Sequence, residues 1–191
     1  MNEKYKKAVK VLKKGEIVVL PSDTIYGIFG SALNKDVVEK VYKLRKRRPS
    51  KPMIILISSV NDLKKFNIDV NQKDEIFSIL QKGGVSVVFS CEDKKFKYLH
   101  RGTKSLAFRI PNGKNKRSRM LKDLLKKTGP LVAPSANFEG ELPAETLTEA
   151  KGIFGESVDF YIGEGRRLSC SPSTLVRVVD GEVEVLRGRL K

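Results

Sequence analysis

The sequence predicts an α/β domain built on a twisted mixed sheet. Three observations carry that reading. Apolar runs of strand length at 17–20, 53–57, 85–89 and 106–110 alternate with segments whose apolar residues recur at helical spacing. Asp180-Gly181 separates two β-branched runs, 174–179 and 182–186, a hairpin pattern that adds antiparallel pairing to the parallel pairing of the alternating elements. No apolar run approaches the roughly 18–20 residues of a membrane span, so a protein with no membrane contact and a cytoplasmic location is expected.

Each element has its own signal. Tyr5, Ala8, Val9 and Leu12 share one helix face, and Gly15 stops that helix. The run 17–20 ends at Pro21 and reads as a buried strand. Asn34 can cap a helix over 35–47, with Val37, Val38, Val41 and Leu44 facing inward and Pro49 ending it. A buried strand follows at 53–57. Short helices are expected at 62–66 and 74–81, the second stopped by Gly83-Gly84. Strands at 85–89 and 106–110 precede a helix at 118–127 that ends near Gly129-Pro130. A short strand at 131–133, a helix at 147–154 and the hairpin complete the order. No repeat or interdomain linker interrupts it, so one domain over 1–191 is expected.

Composition narrows the chemistry. The chain has 191 residues, 40% of them hydrophobic, enough for one core. Lys+Arg number 38 against Asp+Glu 22, a formal charge of +16, which points to an anionic partner or to a very soluble surface. Cys91 and Cys170 form no CxxC pair and read as ordinary reduced thiols. His100 is the sole histidine, so multi-histidine triads and metal clusters are excluded, and no protein-bound metal is expected. No GxxxxGK[ST] pattern is present, so a nucleotide would not bind through a P-loop. Two features stand out against this background. The cluster KLRKRRPSK places several cations at a helix end beside a buried strand. Arg109 interrupts the apolar strand SLAFRIP, where a charge needs a partner.

Five segments in order, PSDTIYGIFG (21–30), KRRPSKPM (46–53), SLAFRIP (105–111), APSANFEG (133–140) and SPSTLVRV (171–178), with LRGR at 186–189, resemble the YrdC-like family of threonylcarbamoyl-AMP synthases. The resemblance covers essentially the whole chain and looks like the short, single-domain form. It implies a YrdC-like fold around a large basic cavity. It also implies a reaction joining L-threonine, bicarbonate or CO2, and ATP into threonylcarbamoyl-adenylate and pyrophosphate. Magnesium would arrive with the triphosphate. A downstream threonylcarbamoyl-transferase complex would pass the group to tRNA, and direct contact with tRNA is left open.

Residue by residue, the resemblance makes Lys46 and Arg48 the family's KxR pair for the triphosphate, with Arg45 and Arg47 as flanking charge. Ser135 and Asn137 match its SxN and would serve triphosphate and carbamate oxygens. With Lys46 and Arg48 they are the expected catalytic set. Ser105 and Arg187 would join the ATP site. Ser22, Thr24, Tyr26, Arg109, Ala133 and Ser173 would line the threonine pocket. Ser22 stands where threonine is usual and keeps the hydroxyl. Ala133 stands where serine or threonine is frequent, so it would act through its backbone. The family's aspartate-histidine-proline turn is replaced by PNGKNKRSR (111–119), a basic stretch that is a candidate lid. Two other readings remain at this level: an RNA-binding protein of the same fold, for double-stranded RNA or tRNA, and a relative that makes carbamoyl-adenylate.

Overall fold

The computed structural model describes residues 1–70, 75–81, 84–166, 172–179 and 182–189. Helix α1 (Glu3–Lys13) is capped by the Asn2 side chain, which accepts from the Tyr5 N–H. Strands β1 (Val18–Pro21) and β2 (Tyr26–Ser31) form a hairpin in register Val18↔Phe29 to Pro21↔Tyr26. Helix α2 (Lys35–Leu44) follows, capped by Asn34. Next come β3 (Ile54–Leu56), a 3-10 turn at Val60–Phe66, α3 (Glu75–Gln81) and β4 (Val85–Ser90). The order continues with α4 (Lys97–His100), β5 (Ser105–Arg109), α5 (Lys116–Thr128), β6 (Leu131–Val132) and α6 (Leu147–Phe154). It closes with β7 (Phe160–Tyr161), β8 (Thr174–Val179) and β9 (Glu182–Arg187).

The described strands make one mixed sheet in the order β7-β1-β2-β6-β3-β5-β4-β8-β9. Side chains alternate between its faces. Tyr26, Ile28, Ile55, Val87, Phe89, Leu106, Phe108 and Val176 pack one face against α2, α3, α4 and α6. Val18, Leu20, Phe29, Leu56 and Leu131 pack the opposite face against Tyr5, Ala8 and Leu12 of α1 and Leu121, Leu124 and Leu125 of α5. Gly30 lets α2 lie close on β2: a Cβ there would stand 2.5 Å from Val37 Cγ1. The second face is only half covered. Helices α1 and α5 shield the β1, β2, β6 and β3 end. Val88, Ala107, Arg109, Leu175 and Arg177, on the same face further along the sheet, line a cavity instead.

Several expectations are corrected. The helix expected over 35–47 stops at Leu44, for a reason given below. The segment 62–66 is part of a 3-10 turn that begins at Val60. Strands β2 and β7 and the short α4 have no counterpart in the sequence reading. The two runs near residue 180 do pair antiparallel as β8 and β9, while their turn, Asp180-Gly181, lies outside the described residues. So do Asp74, Gly83, Cys170 and Ser171. Cys91 is a buried free thiol. Among the described residues, no helix is long and apolar enough to cross a membrane.

Candidate active site

The cavity has a volume of about 360 Å³, within the range of small-molecule sites. Among the described residues, six cations line it: Arg45, Arg47, Lys51, Arg109, Arg177 and Arg187. Apolar side chains, among them Met53, Ile54, Val88 and Leu175, form the rest of its wall, with Thr103, Ser105, Ser135 and Ser173 as neutral polar groups.

The end of α2 decides which cations face inward. The Lys46 N–H donates to the Lys43 carbonyl and the Arg47 N–H to the Tyr42 carbonyl. Those two bonds are the Schellman pattern that closes a helix C-terminus. The pattern requires a left-handed residue, usually glycine. Here it is Lys46, with φ of 50°. The reversal buries Arg45 and turns Lys46 and Arg48 out to solvent. Lys46 Nζ lies 4.5 Å over the Phe138 ring, and Arg48 meets Glu139. Neither residue lines the cavity; Arg45 and Arg47 do.

Arg45 is 2% exposed. Its Nε donates to the Asn137 carbonyl at 3.0 Å. Its Nη2 donates to Asn137 Oδ1 at 2.7 Å and to Ser135 Oγ at 3.2 Å. Nη1 is buried with no hydrogen-bond partner among the described residues. A buried guanidinium costs several kcal/mol unless its donors are met, and the bonds to Asn137 and Ser135 offset much of that cost. Burial, with the charge of Arg47 behind it, pushes the Arg45 guanidinium down to about 10. Burial lowers Arg47 as well. Arg187 is lowered by burial and then by the charges of Arg109 and Arg47. These groups repel one another, and a polyanion among them would relieve that cost.

Asn137 is therefore an anchor. Its Oδ1 also accepts from Ser135 Oγ at 2.6 Å, and its Nδ2 donates to the Glu141 carbonyl. Ser135 lines the cavity; Asn137 does not. Arg47 is held in turn by donating to the carbonyls of Lys51 and Pro52.

The other expected site residues divide in the same way. Ser22, Thr24, Ser105, Arg109, Ala133, Ser173 and Arg187 all line the cavity. The Ser22 hydroxyl is spent closing its own turn: it accepts from the Thr24 and Ile25 N–H groups and donates to the Ile25 carbonyl. Tyr26 is fully buried and faces away. Its hydroxyl donates to the Gly165 carbonyl and accepts from the Glu164 N–H, so it ties that segment to β2. Arg187 Nη2 donates to the Ser173 carbonyl at 3.0 Å. The 111–119 stretch is largely built into the start of α5, where Ser118 and Asn115 form a capping box. His100 is buried, with Nδ1 accepting from the Gly102 N–H, and is not part of the cavity wall.

Sequence reasoning missed Arg45, Arg47, Lys51 and Arg177. For Arg45 a signal existed. It continues the inner stripe Val37, Val38, Val41, Tyr42 by one more turn. It also missed Glu139, which fastens the loop after α2. The Glu139 carboxylate accepts from the Arg48 N–H and meets Arg48 Nε and Lys51 Nζ, both at 3.4 Å. The Arg48 N–H, with Lys51 beside it, draws this carboxyl from 4.5 down to about 2. The lowered value means that the ionised form supports the fold. That support is complete above about pH 4.5 and is lost as pH falls through about 2. Glu139→Gln is expected to lower the melting temperature at pH 7, and the difference from wild type is expected to vanish as the pH approaches 2. Melts across that range, followed by circular dichroism, check it.

Fold and cavity together define a mixed-sheet α/β protein with a cation-lined cavity on one face of the sheet. Among the described residues, no group of three or more His, Cys, Asp or Glu side chains is placed to hold a metal. Residues 10–188 match the Sua5/YciO/YrdC family model, described as telomere recombination. The chain belongs to that family. It is 28% identical over 189 residues to a putative threonylcarbamoyl-AMP synthase of Methanocaldococcus jannaschii, covering 97% of this chain and 87% of that one. It is 26% identical over 181 residues to a threonylcarbamoyl-AMP synthase of Pseudoalteromonas translucida, covering 92% and 94%. The crystal structure of P. abyssi Sua5 complexed with L-threonine superposes with a TM-score of 0.82 at 22% identity, over 96% of this chain and 53% of that one. That last likeness is one of fold.

Proposed function

We propose that the protein is an L-threonylcarbamoyladenylate synthase, making threonylcarbamoyl-AMP and pyrophosphate from L-threonine, bicarbonate or CO2, and ATP. The observation that carries the reading is the gathering of Arg45, Arg47, Lys51, Arg109, Arg177 and Arg187 in one cavity of a chain from this family. The neutral threonine amine forms a bond to the carbon of CO2 and gives up one N–H proton to water, leaving a carbamate anion. A carbamate oxygen then forms a bond to the α-phosphorus, and the bond from that phosphorus to the β-phosphate oxygen breaks, releasing pyrophosphate. Attacker and target are both anionic, so the barrier lies in repulsion and alignment, which fixed cations and oriented donors reduce. No enzyme-bound nucleophile or histidine is needed.

In this reading Arg45 and Arg47 hold the triphosphate, in place of the expected Lys46 and Arg48. Ser135, whose proton is given to Asn137, adds a neutral polar group to the wall, and Asn137 positions Arg45. Arg187 and Ser105 serve the nucleotide side. Arg109, Thr24, Ser173 and the backbone at Ala133 serve threonine. Magnesium enters with ATP as part of the substrate.

The product would pass to a threonylcarbamoyl-transferase complex acting on tRNA. A direct tRNA contact has a specific surface in its favour: the exposed sides of α1 and α5, which flank the cavity's face, carry most of the lysines of those helices. The purified protein is expected to release pyrophosphate from ATP only when L-threonine and bicarbonate are both present. Release without threonine would overturn this reading, and release with carbamoyl phosphate in threonine's place would point to the carbamoyl-adenylate chemistry instead.

A further inference from the structure

Asp23 sits in the turn that joins β1 to β2, and its side chain is only 2% exposed. Buried carboxylates in turns ordinarily close the turn or cap a helix through backbone N–H groups. This one does neither. The turn is closed by the Ser22 hydroxyl. Neither Asp23 oxygen accepts a hydrogen bond among the described residues. What faces Asp23 is Arg109, whose Nη2 lies 3.0 Å from Asp23 Oδ1 in an ion pair that falls short of hydrogen-bond geometry.

Arg109 is itself 4% exposed and stands on the cavity face of β5, opposite Leu56 of β3 in the parallel register. Its Nη1 donates to Thr24 Oγ1 at 3.3 Å, and its Nε has no hydrogen-bond partner among the described residues. Both η nitrogens are thus drawn toward one turn, by a charge and by a hydroxyl. A guanidinium left alone in this cavity would also feel the positive charge of Arg187 and would be free to swing away from it. Two buried charges with so few hydrogen bonds contribute little to stability by themselves. The arrangement is better explained by what it does to Arg109.

We propose that Asp23 is a positioning residue for substrate binding: it holds the Arg109 guanidinium against the β1–β2 turn, in the orientation that receives the carboxylate of the amino-acid substrate. Asp23 does not line the cavity, so it acts through Arg109 and not on the substrate. It also offsets the charge of Arg109, which confines the unbalanced positive charge to the triphosphate side. The proposal rests on the synthase reading, in which Arg109 meets threonine.

The test is steady-state pyrophosphate release by the full chain, with KM for L-threonine and for ATP measured separately. Asp23→Asn keeps the shape and removes the charge. It is expected to raise the threonine KM on the order of tenfold or more, the scale of losing one partner of a buried charged pair, with the ATP KM changed less than twofold. Arg109→Gln is expected to raise the threonine KM at least as much. In the double variant, Asp23→Asn is expected to add nothing, because residues acting through one group are not additive. The double variant leaves no uncompensated charge, so it remains readable even where Asp23→Asn alone folds poorly. An unchanged threonine KM in Asp23→Asn overturns the proposal. So does an equal rise in both KM values, or a full effect of Asp23→Asn in the Arg109→Gln background. A wild-type protein without threonine-dependent release overturns the synthase reading and this proposal with it. Turnover by wild type beside an unaltered Asp23→Asn overturns this proposal alone.

Discussion

Arg45→Ala is expected to lower the rate of pyrophosphate release roughly 10²–10³-fold, the usual cost of removing one preorganised donor from the place where charge moves. Arg47→Ala is expected to fall in the same range. Lys46→Ala and Arg48→Ala are expected to stay within a few-fold of wild type, because both side chains point to solvent and exposed ion pairs and surface cations contribute little. The four variants form one experiment, since spacing and geometry assign opposite pairs. Loss in Lys46→Ala and Arg48→Ala, with Arg45→Ala near wild type, would return the phosphate role to the pair expected from spacing. Lys46→Gly sharpens the comparison. Glycine takes the left-handed conformation at that position without strain, so the variant is expected to keep both the helix end and the activity.

Phe108→Ala is expected to destabilise the protein by about 3–5 kcal/mol, the range for deleting a buried aromatic ring. Phe108 is fully buried. Its ring lies 4.9 Å from Phe66 and 5.9 Å from Phe89, centroid to centroid, so truncation opens a cavity between three rings. For a chain of this size the melting temperature is expected to drop on the order of 10 °C. Urea titration checks it. A loss under about 1 kcal/mol would mean that the site collapses without leaving a void. Arg109 is the next residue of β5 and faces the opposite side of the sheet, so the same variant is also expected to lose affinity for threonine.

Much of this fold is legible in the sequence because its helices and central strands announce themselves by period. The stripe of α2, the Asn34 cap and the apolar runs of β4 and β5 each have one physical cause and one reading. Strand β2 is not legible, because Gly27 and Gly30 interrupt its alternation; they are there for close approach, not for packing mass. Strand β7 is two residues long and exists only through its parallel pairing with β1. In the site, spacing alone could not orient the cluster after α2. Which of four consecutive cations turn inward depends on one left-handed residue, and that residue is a lysine where glycine would have been the signal. Asn137 illustrates a second limit. A side-chain amide in a loop reads as a ligand contact, and only the bonds to Arg45 and Glu141 show it to be a strut.

The order of strands in the sheet has a consequence for the assembly of the protein. The cavity draws on the β1–β2 turn early in the chain and on Ser173, Arg177 and Arg187 near its other extreme. Among the described strands, the later group joins the sheet through the parallel pairing of β8 with β4. Pairings between distant stretches of chain form slowly, since the loop between them must be closed before the contact returns any free energy. A complete cavity is therefore acquired late: helices and the first hairpin can be in place in a molecule that has no cavity at all. An assay that needs the whole cavity counts completed molecules, whereas helical signal also counts unfinished ones.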